Sequence, residues 1–446
     1  MDTIEDGDDF FDDWIIKSMK SYRHLHMFDL PQPTCVIEWS ENDGIFVAGC
    51  SSDSRNEILE MSIPAKLRWE SSSKGAGLTR DRDFKMLRGG FSEKAIHCLT
   101  YLVGTRPRLI VTGSHASSHL DVWQLDTETS DVIKKLHTVP GQGTEGGGIR
   151  SVAQRPGHRG QVAFGAMMSN LQVADVETKE VIATDFGKVE GGLEMQFLNN
   201  NELVTCSTQN GLVNIHDLRT TSSQSVLTDQ SMKLSSAESK HCSLDEGTTQ
   251  TYNKTISQSG SGLDVAVDES TNQNISKKGK ASWTFDLSCS PVPHLDPAGG
   301  EIACKRPKLD VSMAMVVSLC SSGELVIRDL RNLEMPLQHV QLGDEKRQPR
   351  EMETLTVRWC PTEKNLLSVS GLNGCVDIYD ISTWQQSSTS PPNVQPIFSH
   401  EGHMTGESAN QGGGILCHAW HPRHPCVVMS SGSNGSLHAW DWSAVL

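Results

Sequence analysis

The sequence contains no apolar run of the length that a membrane-spanning helix requires. Its most apolar stretch, residues 311–320, is short and interrupted by serines, whereas a spanning helix needs about 20 apolar residues. The N-terminus also lacks the positive charge with which secretory signals begin, because seven of its first 13 residues are acidic. We therefore expect a soluble, intracellular protein without a membrane span.

Paired cysteines and an excess of basic side chains are missing as well. The 12 cysteines form no C-x-x-C pair and most lie within apolar runs, which favours reduced core thiols over a disulfide framework or a zinc site. Asp and Glu number 55 against 39 Lys and Arg, for a formal net charge of −16. Because nonspecific nucleic-acid binding depends on Lys and Arg that neutralise phosphates, this balance argues against direct nucleic-acid binding.

What the sequence does contain is a repeat. Residues 208–217, 320–329, 371–380 and 432–441 share one pattern, in which a glycine precedes an aspartate by six positions. Three of these segments carry Asn-Gly, a pair that favours a type I′ hairpin turn, and the residues that follow alternate as a half-buried strand does. The glycines and aspartates are Gly211, Gly323, Gly374 and Gly435, and Asp217, Asp329, Asp380 and Asp441.

Weaker copies bring the repeat to seven units. An apolar strand precedes each hairpin, and before it comes another that ends in Trp or Pro, as at Trp359 and Trp420. The pattern resembles the WD40-repeat family, whose units are four-stranded antiparallel blades. The last unit keeps Gly402 and His403 as well as Trp440 and Asp441. We therefore predict an all-β, seven-bladed β-propeller over residues 34–446.

Closure of the predicted ring requires a strand from the N-terminus. Only five residues follow Asp441, which are too few for the last blade's outer strand, and residues 25–30 form a strand-like stretch. We predict that residues 1–33 comprise an acidic tail, a short helix and this closing strand. The helix either packs on the ring or docks a partner. The residues that recur at helical spacing are Phe11, Trp14, Ile15, Met19 and Tyr22.

A long insertion separates the fourth and fifth units. The repeat interval there is 112 residues, and residues 220–281 are rich in Ser, Thr, Gln, Asn and Gly. Such a composition cannot bury enough apolar surface to order, so we predict a disordered insertion. A basic cluster at Lys305 and Lys308 is either a nuclear-import signal or a solvated loop.

No motif predicts a catalytic, cofactor or metal site. Residues 141–146 match G-x-G-x-x-G, but a strand-like stretch follows instead of the helix that a pyrophosphate requires. We expect His403 to hydrogen-bond within its own repeat. His418, His421 and His424 are spaced by three, yet a strand points them in different directions. A hydrolase with its active site in the central channel stays an alternative, because catalytic triads are recognised by geometry.

The acidic N-terminus is the candidate partner-binding segment. A tethered anion could occupy a cationic or metal-bearing cleft on another protein, an encounter that long-range electrostatics would favour. The alternative is a solvated tail. The residues assigned to this role are Asp8, Asp9, Asp12, Asp13 and Trp14.

Within the WD40-repeat family the chain resembles one branch in motifs that generic members do not share. They include residues 12–14, 27–30, 44–49, 56–59 and 89–92. The resemblance implies a non-catalytic, mainly cytosolic scaffold that helps assemble the RNA-endonuclease module of the Integrator complex and keeps its metallo-β-lactamase-fold subunits inactive before nuclear import. It also implies association with microtubules, spindle poles and the cleavage furrow, so an adaptor in cell division is the alternative function.

Overall fold

The computed structural model describes residues 14–445, with gaps at 15, 41–42, 53–54, 69–80, 126–130, 142–146, 185, 187–190, 220–280, 289–313, 344–352, 386–390 and 405–413. In these residues, 28 strands form seven sheets. Residues 14 and 16–21 are helical. None of the helices described is long and apolar enough to span a membrane. Short 3-10 turns occupy Ala65–Leu67, Met168–Asn170, Ile381–Thr383 and Gly402–Met404.

The first four blades follow chain order from the inner strand outwards. Blade 1 consists of β2 (Thr34–Trp39), β3 (Gly44–Gly49), β4 (Asn56–Ser62) and β5 (Lys85–Ser92). Blade 2 consists of β6 (Cys98–Leu102), β7 (Leu109–Ser114), β8 (Ser117–Leu125) and β9 (Ile133–Val139). Blade 3 consists of β10 (Ser151–Gln154), β11 (Gln161–Gly165), β12 (Gln172–Asp175) and β13 (Val181–Ala183). Blade 4 shows, in its described part, β14 (Leu193–Phe197), β15 (Glu202–Ser207) and β16 (Val213–Asp217).

The remaining blades each recruit a strand from a later or distant segment. Blade 5 consists of β17 (Trp283–Leu287), β18 (Met315–Cys320), β19 (Glu324–Asp329), β20 (Asn332–Leu342) and the parallel strand β24 (Asn393–Val394). Blade 6 consists of β21 (Thr356–Trp359), β22 (Leu366–Ser370), β23 (Val376–Asp380) and β25 (Phe398–His400). Blade 7 consists of β26 (Ile415–Trp420), β27 (Val427–Gly432), β28 (Ser436–Asp441) and β1 (His24–Asp29). The predicted seven-bladed propeller is confirmed.

Apolar side chains fill each of the seven interfaces between neighbouring blades. Between blades 2 and 3, for example, Val111 packs with Val162. Between blades 7 and 1, Met429 and Leu437 pack with Ile45. A blade has two apolar faces and cannot cover them alone, so each gains its stability from both neighbours. The interface between the last and first blades makes the ring closed.

The N-terminal strand completes blade 7, as predicted. β1 pairs antiparallel with β28 from His24, opposite Asp441, to Asp29, opposite Ser436. The pairing is extended on both sides, because Arg23 N donates to Asp441 O at 2.8 Å and Leu30 N donates to Gly435 O at 2.8 Å. Residues from both ends of the chain thus hold the ring shut.

The N-terminal helix packs on the junction of blades 6 and 7. Trp14 and Tyr22 are buried, whereas Met19 is 70% exposed and Phe11 and Ile15 lie outside the described residues. Lys17 Nζ lies 2.9 Å from Glu401 Oε2. Two of the predicted apolar positions therefore contact the ring, and the solvent-facing Met19 does not.

The hairpin turns differ from the predicted type I′ form. Gly211, Gly374 and Gly435 have positive φ, but the asparagines before them do not. A type I′ turn needs two residues with positive φ, so these turns instead end on a single left-handed glycine, as in longer hairpin loops. The physical reason is the asparagine side chain, whose oxygen accepts the backbone N–H two residues on, for example from Leu212 to Asn210 at 3.0 Å.

The strand-ending aspartates of the repeat make the same kind of local bond. In each case the carboxylate accepts the backbone N–H two residues later, which turns the chain sharply after the third strand. The donors are Arg219 to Asp217, Arg331 to Asp329, Ser382 to Asp380 and Ser443 to Asp441, at 2.9–3.0 Å.

Removing residues 1–33 should destabilise the ring. The deletion exposes the edge of β28 and removes Leu25 and Leu30 from the apolar clusters on the two sides of blade 7, so we expect a loss of at least about 3 kcal/mol at about 1.5–3 kcal/mol per side chain. Urea denaturation measures it, and deletion of residues 1–13 is the control. Equal stability of the 34–446 protein and the full chain would contradict closure by β1.

Candidate functional site

The inner strands of the seven blades line a central channel. Its cavity has a volume of about 530 Å³. The walls carry three acidic side chains, Glu38, Glu194 and Asp286, together with Arg150 and Arg358. Several titratable groups meet in this concave feature, so it is the first place to look for chemistry.

The channel carboxylates hold neighbouring blades together. Asp286 of blade 5 accepts Trp359 N of blade 6 at 2.7 Å and Gln196 Nε2 of blade 4 at 2.7 Å. Glu38 of blade 1 accepts Tyr101 N of blade 2 at 3.3 Å. Inner strands have one edge without a strand partner, and these side chains satisfy its backbone groups.

Polar side chains bridge the other interfaces in the same way. Together with the bonds just described, they give every neighbouring pair of blades at least one hydrogen bond between a side chain and the backbone, at or near the channel. The remaining bridges are Gln154 to Val103 N and O at 3.1 Å, Met195 N to Ser151 Oγ at 3.2 Å, Leu287 N to Gln196 Oε1 at 3.3 Å, Trp420 Nε1 to Arg358 O at 3.3 Å and Ser431 Oγ to Thr34 O at 2.9 Å. We call this set the inter-blade bridges.

Burial shifts the acids of the channel towards their neutral forms. It raises the pKa of Glu38 to about 7 and raises the pKa of Glu194 and of Asp286, while the positive charge of Arg358 opposes each rise. Arg358 Nη1 lies 4.0 Å from Asp286 Oδ1 and donates to Val357 O at 3.2 Å. The hydrogen bonds that each acid accepts across a blade interface also lower its pKa, so burial alone causes the rise.

A histidine that bonds to two serines lies beside the channel, and it bears on the alternative that the protein is a hydrolase. His418 Nε2 lies 2.7 Å from Ser368 Oγ, and its Nδ1 lies 2.9 Å from Ser370 Oγ. All three side chains are buried, and burial lowers the pKa of His418 to about 3. In the part of the chain that the structure describes, no carboxylate bonds to His418. A general base needs a pKa near the working pH and access to substrate, so this group suits a bridge between blades 6 and 7 better than catalysis.

His403 makes the bonds within its repeat that the sequence predicts. Its Nδ1 lies 2.7 Å from Ser436 Oγ and its Nε2 lies 2.8 Å from Ser430 Oγ, which also accepts Trp440 Nε1 at 3.2 Å. Ser436 Oγ in turn donates to Asn434 at 2.6 Å. The network is neutral throughout, because Asn434 stands where a charged aspartate would otherwise end it.

Two further histidines next to His403 raise the question of a metal site. The ring nitrogens of His400, His403 and His438 lie within 4.8 Å of one another. However, the rings of His403 and His438 stack at 3.9 Å with a 12° angle between their planes. Ring nitrogens bind metals in the plane of the ring, so two stacked rings cannot direct lone pairs at one ion. The geometry does not fit a metal.

These histidines instead anchor the N-terminal segment. His400 Nδ1 lies 2.7 Å from Tyr22 Oη, and His400 Nε2 lies 3.0 Å from His438 Nδ1. The Tyr22 ring packs edge-on against Phe398 and Trp440. A hydrogen-bonded chain therefore connects the residue before the closing strand to the cores of blades 6 and 7.

Of the predicted partner-binding residues the structure describes Trp14 alone, and Trp14 lies apart from the channel. Trp14 is 5% exposed and lies close to Gly402 at the junction of blades 6 and 7. Asp8, Asp9, Asp12 and Asp13 lie outside the described residues, so their role stays a prediction.

Sequence reasoning missed the inter-blade bridges and the Tyr22 to His400 bond. A partial signal was present, since Glu38 and Arg358 each precede the tryptophan that ends an inner strand. What a single sequence does not reveal is the residue of the next blade that each side chain meets.

Comparison with known proteins gives a consistent result. No family model matches the chain. A zebrafish (Danio rerio) protein is 31% identical over 437 residues, which cover 97% of this chain and 96% of the relative. Relatives from Mus musculus and Homo sapiens are each 29% identical, with 97% of both chains covered. All three are named Integrator complex assembly factor WDR73. The chain belongs to the WDR73 family.

The extent of the match shows which parts of a WDR73 protein are shared. The part of the chain left uncovered is shorter than any one blade. The similarity therefore extends over all seven blades.

The buried histidines of this WDR73-family ring should make its stability depend on pH. Burial lowers the pKa of His418 and His438 to about 3, and those of His400 and His403 lie well below 6.5. At these four histidines the unfolded chain, with pKa values near 6.5, binds more protons below that pH, so their contribution to stability falls as pH drops from about 6.5 towards 4. Each group contributes up to about 1.4 kcal/mol per pH unit.

Urea denaturation at a series of pH values measures this dependence. The variant His418→Gln should flatten the slope by up to one proton, while His119→Gln, at an exposed position, should leave it unchanged. Identical slopes in all three proteins would contradict the assignment.

Removing one inter-blade bridge should cost stability without unfolding the WDR73-family ring. Asp286→Ala leaves Trp359 N and Gln196 without their acceptor, and a buried group without its partner costs about 1–3 kcal/mol. The control is Asp83→Ala, because the Asp83 side chain is 87% exposed. Equal free energies of unfolding for the two variants would show that the bridge does not contribute.

Proposed function

We propose that this protein is an assembly factor of the Integrator complex that acts by binding other proteins and not by catalysis. The carrying observation is the 31% identity over 97% of the chain to a protein named for that role. Two features of the described residues agree with it. The ring is closed and rigidly bridged, and the polar groups of its channel bond to the protein's own backbone.

We propose further that assembly takes place in the cytosol. The module concerned is the RNA endonuclease of Integrator, and its paired metallo-β-lactamase-fold subunits would be held inactive by this protein until nuclear import. This finer statement rests on the family resemblance. The association with microtubules and the spindle stays a prediction.

The acidic tail is the proposed contact with a metal-bearing or cationic cleft. The segment that follows it is fixed to the ring, since Trp14 is buried and Lys17 pairs with Glu401. A tail of acidic residues that starts from a fixed point can reach a partner on the same side of the ring at little cost in orientation. The negative charge of this tail would attract a cation in the cleft of the partner.

Affinity purification from cytosol with mass spectrometry tests both proposals. The full-length protein should recover the Integrator cleavage subunits. A variant with Asp8, Asp9, Asp12 and Asp13 changed to Asn should recover less, by about tenfold if each lost contact contributes a few tenths of a kcal/mol.

The matched control changes four exposed acids on the ring, so that both variants lose four negative charges. Its substitutions are Asp83→Asn, Glu93→Gln, Glu177→Gln and Glu180→Gln. Recovery of no Integrator subunit by the full-length protein would reject the assembly function. Equal recovery by the tail and ring variants would reject the tail as the contact while leaving that function standing.

A further inference from the structure

Two half-buried cysteines meet near the start of blade 1. Cys35 lies in β2, at the wall of the central channel, and Cys50 follows directly after β3. The Cys50 thiol donates to Pro33 O at 3.3 Å, and its sulfur accepts both the backbone N–H and the thiol of Cys35. The two sulfur atoms are therefore direct neighbours on adjacent strands.

A bulge in β2 contains Cys35 and fixes its position. The register of β2 against β3 shifts after Thr34, so the residues that follow leave the regular ladder. The Thr34 hydroxyl replaces the ladder there, because it bonds to the backbone of Val36 and of Ala48 at 2.7–3.2 Å. Bulges are a common means of re-aiming a side chain. Since Thr34 is 1% exposed, the bulge that brings Cys35 to Cys50 is held by a buried group.

The contact makes Cys50 the more reactive thiol of the two. The hydrogen bond from the Cys35 thiol lowers the pKa of Cys50, and the same bond, together with burial, raises the pKa of Cys35. The thiolate is the form of cysteine that attacks a disulfide. Cys98 and Cys417 also line the channel, but burial raises the pKa of each to about 12. Among these thiols, Cys50 is the one prepared to attack.

We propose that Cys35 and Cys50 form a reversible redox site whose substrates are low-molecular-weight disulfides such as glutathione disulfide. The Cys50 thiolate attacks one sulfur of glutathione disulfide and releases the first glutathione thiolate, which takes up a proton. Cys35 then gives up its thiol proton, and its sulfur displaces the second glutathione from Cys50. The protein loses two electrons and two protons, and glutathione disulfide is reduced to two molecules of glutathione.

The new bond would form beside the contact that closes the ring. Ser431 Oγ of blade 7 donates to Thr34 O at 2.9 Å, and Cys417 Sγ of the same blade lies 3.8 Å from that oxygen. Thr34 precedes Cys35 in β2, so a bond from Cys35 to Cys50 ties the strand that blade 7 contacts to the end of β3. Such a tie restricts the unfolded chain and favours the folded form of blade 1.

Mass spectrometry of the full-length protein, equilibrated with mixtures of glutathione and glutathione disulfide, tests the site. Trypsin leaves residues 24–55 as one peptide, which contains Cys35 and Cys50 and no other cysteine. In oxidising mixtures we expect this peptide to lose two hydrogen atoms and to resist a thiol-blocking reagent. Dithiothreitol should reverse both changes. Further cleavage after Glu38 should give two peptides that stay linked until they are reduced.

Alkylation kinetics test the role of the contact. With iodoacetamide at neutral pH, Cys50 of the folded protein should react about tenfold faster than Cys98, which is half-buried as well. Cys35→Ala should slow the alkylation of Cys50 severalfold, whereas the matched control Cys98→Ala should leave it unchanged. Cys206 is buried in β15 and should stay unlabelled in every variant that is folded.

Three results would overturn the proposal. A glutathione adduct that persists on Cys50 would show that the Cys35 sulfur does not reach it. A disulfide between Cys35 and Cys417 would reject Cys50 as the partner. Alkylation of Cys50 at the rate of Cys98, or at the same rate with and without the Cys35 thiol, would reject Cys50 as the attacking thiolate.

Discussion

Every blade of this protein depends on having a neighbour against each of its two faces. A four-stranded sheet with apolar side chains on both sides loses its driving force for folding if either face meets water. Seven apolar clusters, one at each interface, meet that requirement only because blade 7 contacts blade 1. The need to cover both faces of each blade determines that the ring forms. The hairpin turns, the strand-ending aspartates and the inter-blade bridges add further stability to it.

The local repeat explains how much of the fold could be predicted. Glycine, the strand that follows it and the aspartate at its end lie within ten residues, so a single sequence contains the whole hairpin. Closure was also predictable, because residues 25–30 have the pattern of a strand and lie ahead of the first strand of blade 1. The predicted type I′ turn was wrong, because an asparagine side chain bonds to the backbone and the turn does not need a second residue with positive φ.

The site was less predictable, for a physical reason. Glu38 meets the backbone of Tyr101 and Asp286 meets that of Trp359, partners 63 and 73 residues away. Such pairs depend on the rotation between adjacent blades, which no local pattern encodes. The same holds for His400 and Tyr22, whose separation of 378 residues is bridged only when the ring closes. Sequence motifs located the blades, and the geometry of the ring assigned the polar side chains to one another.

The bridges also bear on where a scaffold of this kind can bind. Side chains that bond across the blade interfaces are occupied, and releasing them for a ligand would weaken the ring. Recognition on the outer surfaces and the N-terminal segment leaves those bonds in place. Binding and stability then depend on different sets of residues. Substitutions on the outer surface can change what the ring binds without weakening the bonds between its blades.

The pairing of β1 with β28 has a consequence for the time at which the protein can fold. Residue 24 is synthesised long before its partner in the ladder, residue 441. At about 5–20 residues per second, the strand waits about 20–80 s for its partner to be synthesised. Throughout that interval the face of blade 1 that will meet blade 7 is uncovered. Until residue 441 has been made, the nascent ring is therefore an open arc with exposed apolar faces at its first and latest blades.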